Sequence, residues 1–215
     1  MHRYAPPFGP LRILEANESW VIVDKPPGLL SVPGRGREKA DCLEARLRND
    51  FGEIYTVHRL DMETSGVMVF ARTPPVQSSL SKAFQERRVE KTYEALVQGV
   101  VEQDAGDVDL PLVTDWPNRP RQKVCQKDGK SSQTHWAVIE RLPELTRIRL
   151  TPHTGRSHQL RVHMMAIGHP IVGDSLYSPR HVHAASPRLM LHACVLKVLD
   201  RDGRALASAS SHPAF

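Results

Sequence analysis

Short alternating apolar runs recur along the whole chain, and they constrain its fold more than any other feature. "WVIVDKPPGLLSVPG" reads as a strand over 20–23, stopped by Pro26-Pro27 and a glycine turn. "IYTVHRL" and "GVMVFAR" are β-type runs on either side of a polar loop. In "KTYEALVQG", Tyr93, Ala95 and Val97 share one face of a strand, and Thr92, Glu94 and Leu96 the other. "QTHWAVIERL" and "TRIRLTP" read as a hairpin, and "RLMLHACVLKVL" as a last long strand. Helical spacing is sparser. Leu43 and Leu47 predict a short helix over 42–50, and Val76, Leu80, Ala83, Phe84 and Arg87 predict an amphipathic one over 76–88. "SHQLRVHMMAIGHP" reads as a third, with Ser157 as N-cap, a stripe of Leu160, Met164 and Ile167, and a stop at Gly168 and Pro170. Residues 114–131 read as a basic loop. Neighbouring strands with few helices predict an α+β fold with a mixed, mainly antiparallel central sheet and flanking helices and loops.

The 215 residues fit one domain with its own core, expected over 15–215 behind an N-terminal arm over 1–14 whose first ten residues are loosely held. The arm is proline-rich and lacks an apolar signal-peptide core. No run of about 18 apolar residues exists to span a membrane. Cys42, Cys125 and Cys194 are isolated and odd in number, which argues against a disulfide framework or a CxxC site and fits a reducing cytoplasm. A net charge of +5 and a pI of 9.3 are compatible with a nucleic-acid partner.

Eleven histidines invite a metal reading. His153, His158 and His163 recur every five residues, which is about 500° on a helix, so neighbours point apart; zinc helices use i, i+4 spacing. Histidines on the surface or held by hydrogen bonds are the better reading. Asp61, in "HRLDMETSG", stands in a polar turn. "DMET" faintly resembles the phosphorylated-aspartate loop of haloacid-dehalogenase-type phosphatases, with Gly173-Asp174 posing as a downstream acidic motif. Glu63 replaces the second aspartate, however, and the parallel βα units are not visible. Three basic segments, around Lys82–Lys91, Arg119–Lys130 and Arg147–Arg161, point instead to a phosphate backbone. Aromatic residues make up only 6%, which argues against extended stacking platforms.

"HRLDMETSGVMVFAR", "EKTYEALVQG", "TGRSHQLRVHMMAIGHPIVGD" and "RLMLHA", in that order and behind "WVIVDKPPGLLSVPG", resemble the RluA-type pseudouridine synthases. The likeness covers roughly residues 15–200. It implies the pseudouridine synthase fold without the S4-type RNA-binding domain that many relatives carry before it. It also implies an isomerase that breaks the N1–C1′ bond of an RNA uridine and rejoins the uracil through C5, with no cofactor and no metal. "DWPNRPRQKVC" is similar to a compact dual-specificity branch acting on tRNA and 23S rRNA, at anticodon-loop uridine 32 and rRNA uridine 746. A different tRNA or rRNA target, a non-catalytic RNA-binding module and a uracil-releasing glycosylase remain alternatives.

The resemblance casts Asp61 as the indispensable carboxylate, leaving open attack on the sugar, addition to the base or removal of a C2′ proton. Arg161 would be its counter-charge, since a permanent planar cation keeps an enclosed carboxylate ionised. Tyr93 would pack on the base and handle the C5 proton, and Leu191 would lie beside it. Arg59, next to His58, would fill the space left by an extruded base. His58, Arg119, Arg121, Lys123, Arg156 and His158 would contact the RNA. The protein is expected to act as a monomer, with RNA as its partner.

Overall fold

The computed structural model describes residues 4–215, so the first three residues of the expected arm lie outside the described residues. In chain order the strands are β1 (Arg12–Ala16), β2 (Trp20–Lys25), β3 (Tyr55–Thr56), β4 (Ser65–Ala71), β5 (Val89–Gln98) and β6 (Ala105–Asp109). They continue as β7 (Leu112–Thr114), β8 (Gln122–Val124), β9 (Gln133–Arg141), β10 (Leu145–Pro152), β11 (Leu191–Leu199) and β12 (Ala205–Ser210). The α-helices are α1 (Leu43–Phe51), α2 (Pro74–Gln85), α3 (Gln159–Ala166) and α4 (Arg180–Ala184). The class is α+β, as expected, with every register described antiparallel. The described chain divides into two compact units, one of residues 4–91 and 193–214, the other of residues 92–192 with Phe215.

In the first unit the strand order is β1-β2-β4-β11, with β3 also on β4 and β12 also on β11. All seven residues of β4 are buried, so this strand reads as a continuous apolar run rather than an alternation. Its second residue, Gly66, has φ +115°, and a Cβ there would stand 2.3 Å from the Ala193 carbonyl oxygen. Only glycine fits that conformation and that backbone approach. α2 closes over the core with Leu80 and Ala83, which pack with Ile22, Val67, Val69 and Leu196. Its N-cap is Thr73, whose hydroxyl accepts the Val76 N–H, so the helix begins two residues before the apolar spacing does. The N-terminal segment is held in part: the Tyr4 hydroxyl donates to the Asp41 carbonyl and accepts from the Leu30 N–H, and β1 starts within the segment read as an arm.

In the second unit the order is β5-β10-β9-β6. β9 and β10 form the expected hairpin, and β5 lies on β10 with Tyr93 opposite Leu150. The face of β5 carrying Ala95 and Val97 joins Ile148, Leu150, Trp136, Leu160, Met164 and Leu191 in one core. The segment over 114–131 is not all loop: β7 and β8 pair into a small two-stranded sheet of their own. Ser157 does not cap α3. His158 does, in the left-handed conformation (φ 55°) and without a side-chain cap bond. No described helix is long and apolar enough to cross a membrane.

Candidate active site

Asp61 sits at the start of a tight turn closed by the Thr64 N–H donating to the Asp61 carbonyl at 3.1 Å. Main-chain contacts fix that turn from both sides. The Met62 carbonyl accepts the Gly28 N–H at 2.9 Å and the Lys25 ammonium at 2.9 Å. The Ser31 hydroxyl donates to the Leu60 carbonyl at 2.7 Å and accepts the Leu60 N–H at 3.2 Å. "DKPPGLLS" is therefore the cradle of the turn. Lys25 is its pin: completely buried, it gives its Nζ to the carbonyls of Pro26, Leu29 and Met62 at 2.8 to 2.9 Å. An ammonium has three protons to donate, and burying one without such acceptors costs several kcal/mol, on the order of the ion desolvation penalty. Sequence reasoning passed over Lys25. Its signal was a lysine at the end of a strand that opens on four apolar residues, Trp20 to Val23.

The two basic residues upstream of the acid, Arg59 and His58, behave differently from each other. Arg59 is exposed and makes no hydrogen bond or ion pair among the described residues. His58, expected among the RNA contacts, is committed to the fold. Its ring stacks on Phe84 at 4.7 Å and its Nε2 accepts the Val69 N–H at 3.2 Å. Burial, with Lys91 nearby as a second cause, lowers its pKa from 6.5 to about 3, and the ring is neutral.

In the second unit Arg161 is only 3% exposed and pairs with Asp174 in a two-pronged bridge, both contacts 2.7 Å. Burial raises the Asp174 carboxyl. The Arg161 fork and the N–H groups of Leu176 and Tyr177 outweigh that, and its pKa lies below the ordinary carboxylate value. Tyr177 lies beneath the Arg161 guanidinium, 5.1 Å from ring centre to Cζ, and its hydroxyl hydrogen-bonds His158 at 2.6 Å and the Gln122 N–H at 2.8 Å. Gly173 gives Asp174 its approach: φ is +76°, and a Cβ would strike the Arg188 carbonyl at 1.9 Å. Asp174, weighed from sequence only as a phosphatase motif, is thus the anchor of Arg161. The partner lies thirteen residues along the chain, beyond any helical spacing.

The loop before α3 is held by a buried amide. Gln159 Oε1 accepts the Thr154 hydroxyl and the Arg156 N–H, and its Nε2 donates to the Gln133 carbonyl and the Thr134 hydroxyl. That fully used amide fixes the segment carrying Arg156, which is exposed, and His158, which is half-buried. Arg119, Arg121 and Lys123 are exposed around β8. Tyr93 is half-buried against the core that contains Leu191, itself 3% exposed. Among the described residues, no group of three or more His, Cys, Asp or Glu side chains could hold a metal ion. His163 is an instance of why: its two ring nitrogens are taken by the Thr134 hydroxyl and the Leu110 carbonyl.

The first unit presents an aspartate on a pinned polar turn, and the second carries a buried arginine fork and exposed cations. Residues 19–166 match the RNA pseudouridylate synthase family, and the chain belongs to the RluA-type RNA pseudouridine synthases, isomerases acting on RNA uridines. It is 46% identical over 214 residues to the dual-specificity RNA pseudouridine synthase RluA of Pasteurella multocida, covering 99% of this chain and 98% of that one. With its namesake from Escherichia coli K12 it shares 49% over 200 residues, covering 92% and 91%. Among solved structures, human RNA pseudouridylate synthase domain containing 1 superposes with a TM-score of 0.82 at 28% identity, covering 98% of this chain and 87% of that one.

Proposed function

We propose that this enzyme converts uridines in both tRNA and 23S rRNA to pseudouridine, at anticodon-loop uridine 32 and rRNA uridine 746. It does so in the cytoplasm, as a monomer, with residues 15–215 acting as one catalytic domain. Asp61 is the acting carboxylate, Arg161 its counter-charge, and Tyr93 the ring against the base, with Leu191 beside it. The reaction breaks N1–C1′ and forms C5–C1′; the proton on C5 leaves and N1 takes one up, so no electrons are gained or lost. Arg59 fills the stack when the target base leaves it, offsetting a cost of a few kcal/mol. Arg119, Arg121, Lys123, Arg156 and His158 contact the RNA backbone. The observation that carries this reading is the Asp61 turn, pinned through Met62 and Leu60 by Lys25, Gly28 and Ser31. A carboxylate needs such placement to act on one atom of a bound nucleotide.

The test uses tRNA carrying tritium at uridine C5. The reading expects tritium release, pseudouridine in the nucleoside digest, and loss of both on Asp61→Ala. Binding without release would make the protein an RNA-binding module, and free uracil would make it a hydrolytic glycosylase. Arg59→Ala should slow a structured hairpin more than a flexible single strand; equal losses would remove the stacking role.

A further inference from the structure

Trp116 is 67% exposed, on a chain with few aromatic residues. A single exposed apolar residue is ordinary. This one is held out by a stiff frame. Within 115–121, the Asp115 N–H donates to the Arg121 carbonyl, the Asn118 N–H to the Asp115 carbonyl, and the Arg121 N–H to the Asn118 carbonyl, at 2.9 to 3.0 Å. The Asn118 amide also donates to the Asp115 carboxylate at 2.9 Å, and Lys123 reaches that carboxylate at 3.5 Å. The Arg119 guanidinium lies over the indole, 4.3 Å from its centre, so cation and ring already form the first two layers of a stack. The frame is tied to the site: Arg121 donates to the Leu176 carbonyl, and the Gln122 N–H to the Tyr177 hydroxyl, on the ring that lies under Arg161.

We propose that Trp116, backed by Arg119, is a stacking platform for an unpaired base of the RNA substrate. The occupant is a nucleobase because the surface combines an open indole, a planar cation and the neighbouring charges of Arg121 and Lys123. A base supplies a π-face for the first and its phosphate a partner for the others. The inference deepens the RNA-modifying reading and rests on it. It also amends the expectation drawn from composition: a low aromatic content argues against an extended platform, and one built platform needs only one indole.

The measurement is the binding of a synthetic tRNA anticodon stem-loop, beside a fully paired RNA duplex of equal length, with tritium release followed in parallel. Trp116→Ala should weaken stem-loop binding about tenfold, within the range for loss of one base stack, and leave duplex binding unchanged. Trp116→Phe should restore most of the loss, and stem-loop RNA should protect the wild-type indole from acrylamide quenching. Unchanged stem-loop affinity in Trp116→Ala, or equal weakening on stem-loop and duplex, overturns the platform. Stem-loop binding that depends on Trp116 without tritium release would leave the platform standing and overturn the isomerase reading; release with Trp116-independent binding does the reverse.

Discussion

The turn that carries Asp61 and the side chain of Arg161, both proposed for catalysis, are held by different means. The contacts that fix the turn carrying Asp61 are to main chain: Lys25, Gly28 and Ser31 grip the carbonyls of Met62 and Leu60. Around Arg161 they are side chain to side chain: the Asp174 fork, then the Tyr177 ring, then His158. The difference follows from the groups being placed. A short carboxylate stands close to its backbone, so fixing the turn narrows the region its oxygens can reach. A guanidinium stands at the end of a long stem, and its position must be set at the charged head itself. The turn under the acid is thus held through its backbone, and the arginine through side-chain partners.

The largest loss expected from breaking this contrast is at the arginine. Asp174→Ala removes the two-pronged partner of a buried guanidinium and should cost about 3–5 kcal/mol in stability by urea melt. The double variant Arg161→Met with Asp174→Leu should be more stable than Asp174→Ala while remaining inactive. Next comes the acid's pin. Lys25→Met strips one donor from each of three carbonyls and should cost about 3 kcal/mol, with a fall in kcat out of proportion to any fall in RNA affinity. A smaller effect concerns pH. His58 is neutral in the fold, with a pKa lowered to about 3, and ordinary when unfolded. As pH falls below about 6.5 the unfolded chain takes up the proton first, so stability is lost on acidification and is fully present above neutrality. Between pH 7 and pH 5 this amounts to about 2 kcal/mol, and His58→Phe should flatten that part of the stability curve. The smallest is Ser31→Ala, about 1 kcal/mol, felt mainly in kcat.

The strands that sequence reading found are those whose side chains alternate or run apolar: β2, β4, β5, β9, β10 and β11. Those it missed are short or polar. β6 reads "AGDVD" and β12 "ALASAS", with little apolar contrast to see. "IYTVHRL" kept only Tyr55–Thr56 as strand, because the chain beyond turns His58 into the core and hands the Leu60 carbonyl to Ser31. In α3 the stripe of Leu160 and Met164 was right, yet every residue from Gln159 to Met164 is buried. Its polar members are inside because Gln159, Arg161 and His163 all find partners, which no periodicity reveals. At the candidate site the motif residues could be singled out from sequence, but the contacts that hold them could not. Lys25 and Asp174 act through contacts made 37 and 13 residues away.

The most direct measurement is single-turnover pseudouridine formation by Asp61→Asn, read as tritium release with RNA affinity and melting temperature measured on the same preparation. The substitution keeps shape and removes charge. The account predicts a loss of at least about 10³-fold in the chemical step, with a wild-type melt and near wild-type affinity. Pseudouridine formed by Asp61→Asn at anything near the wild-type rate would contradict it.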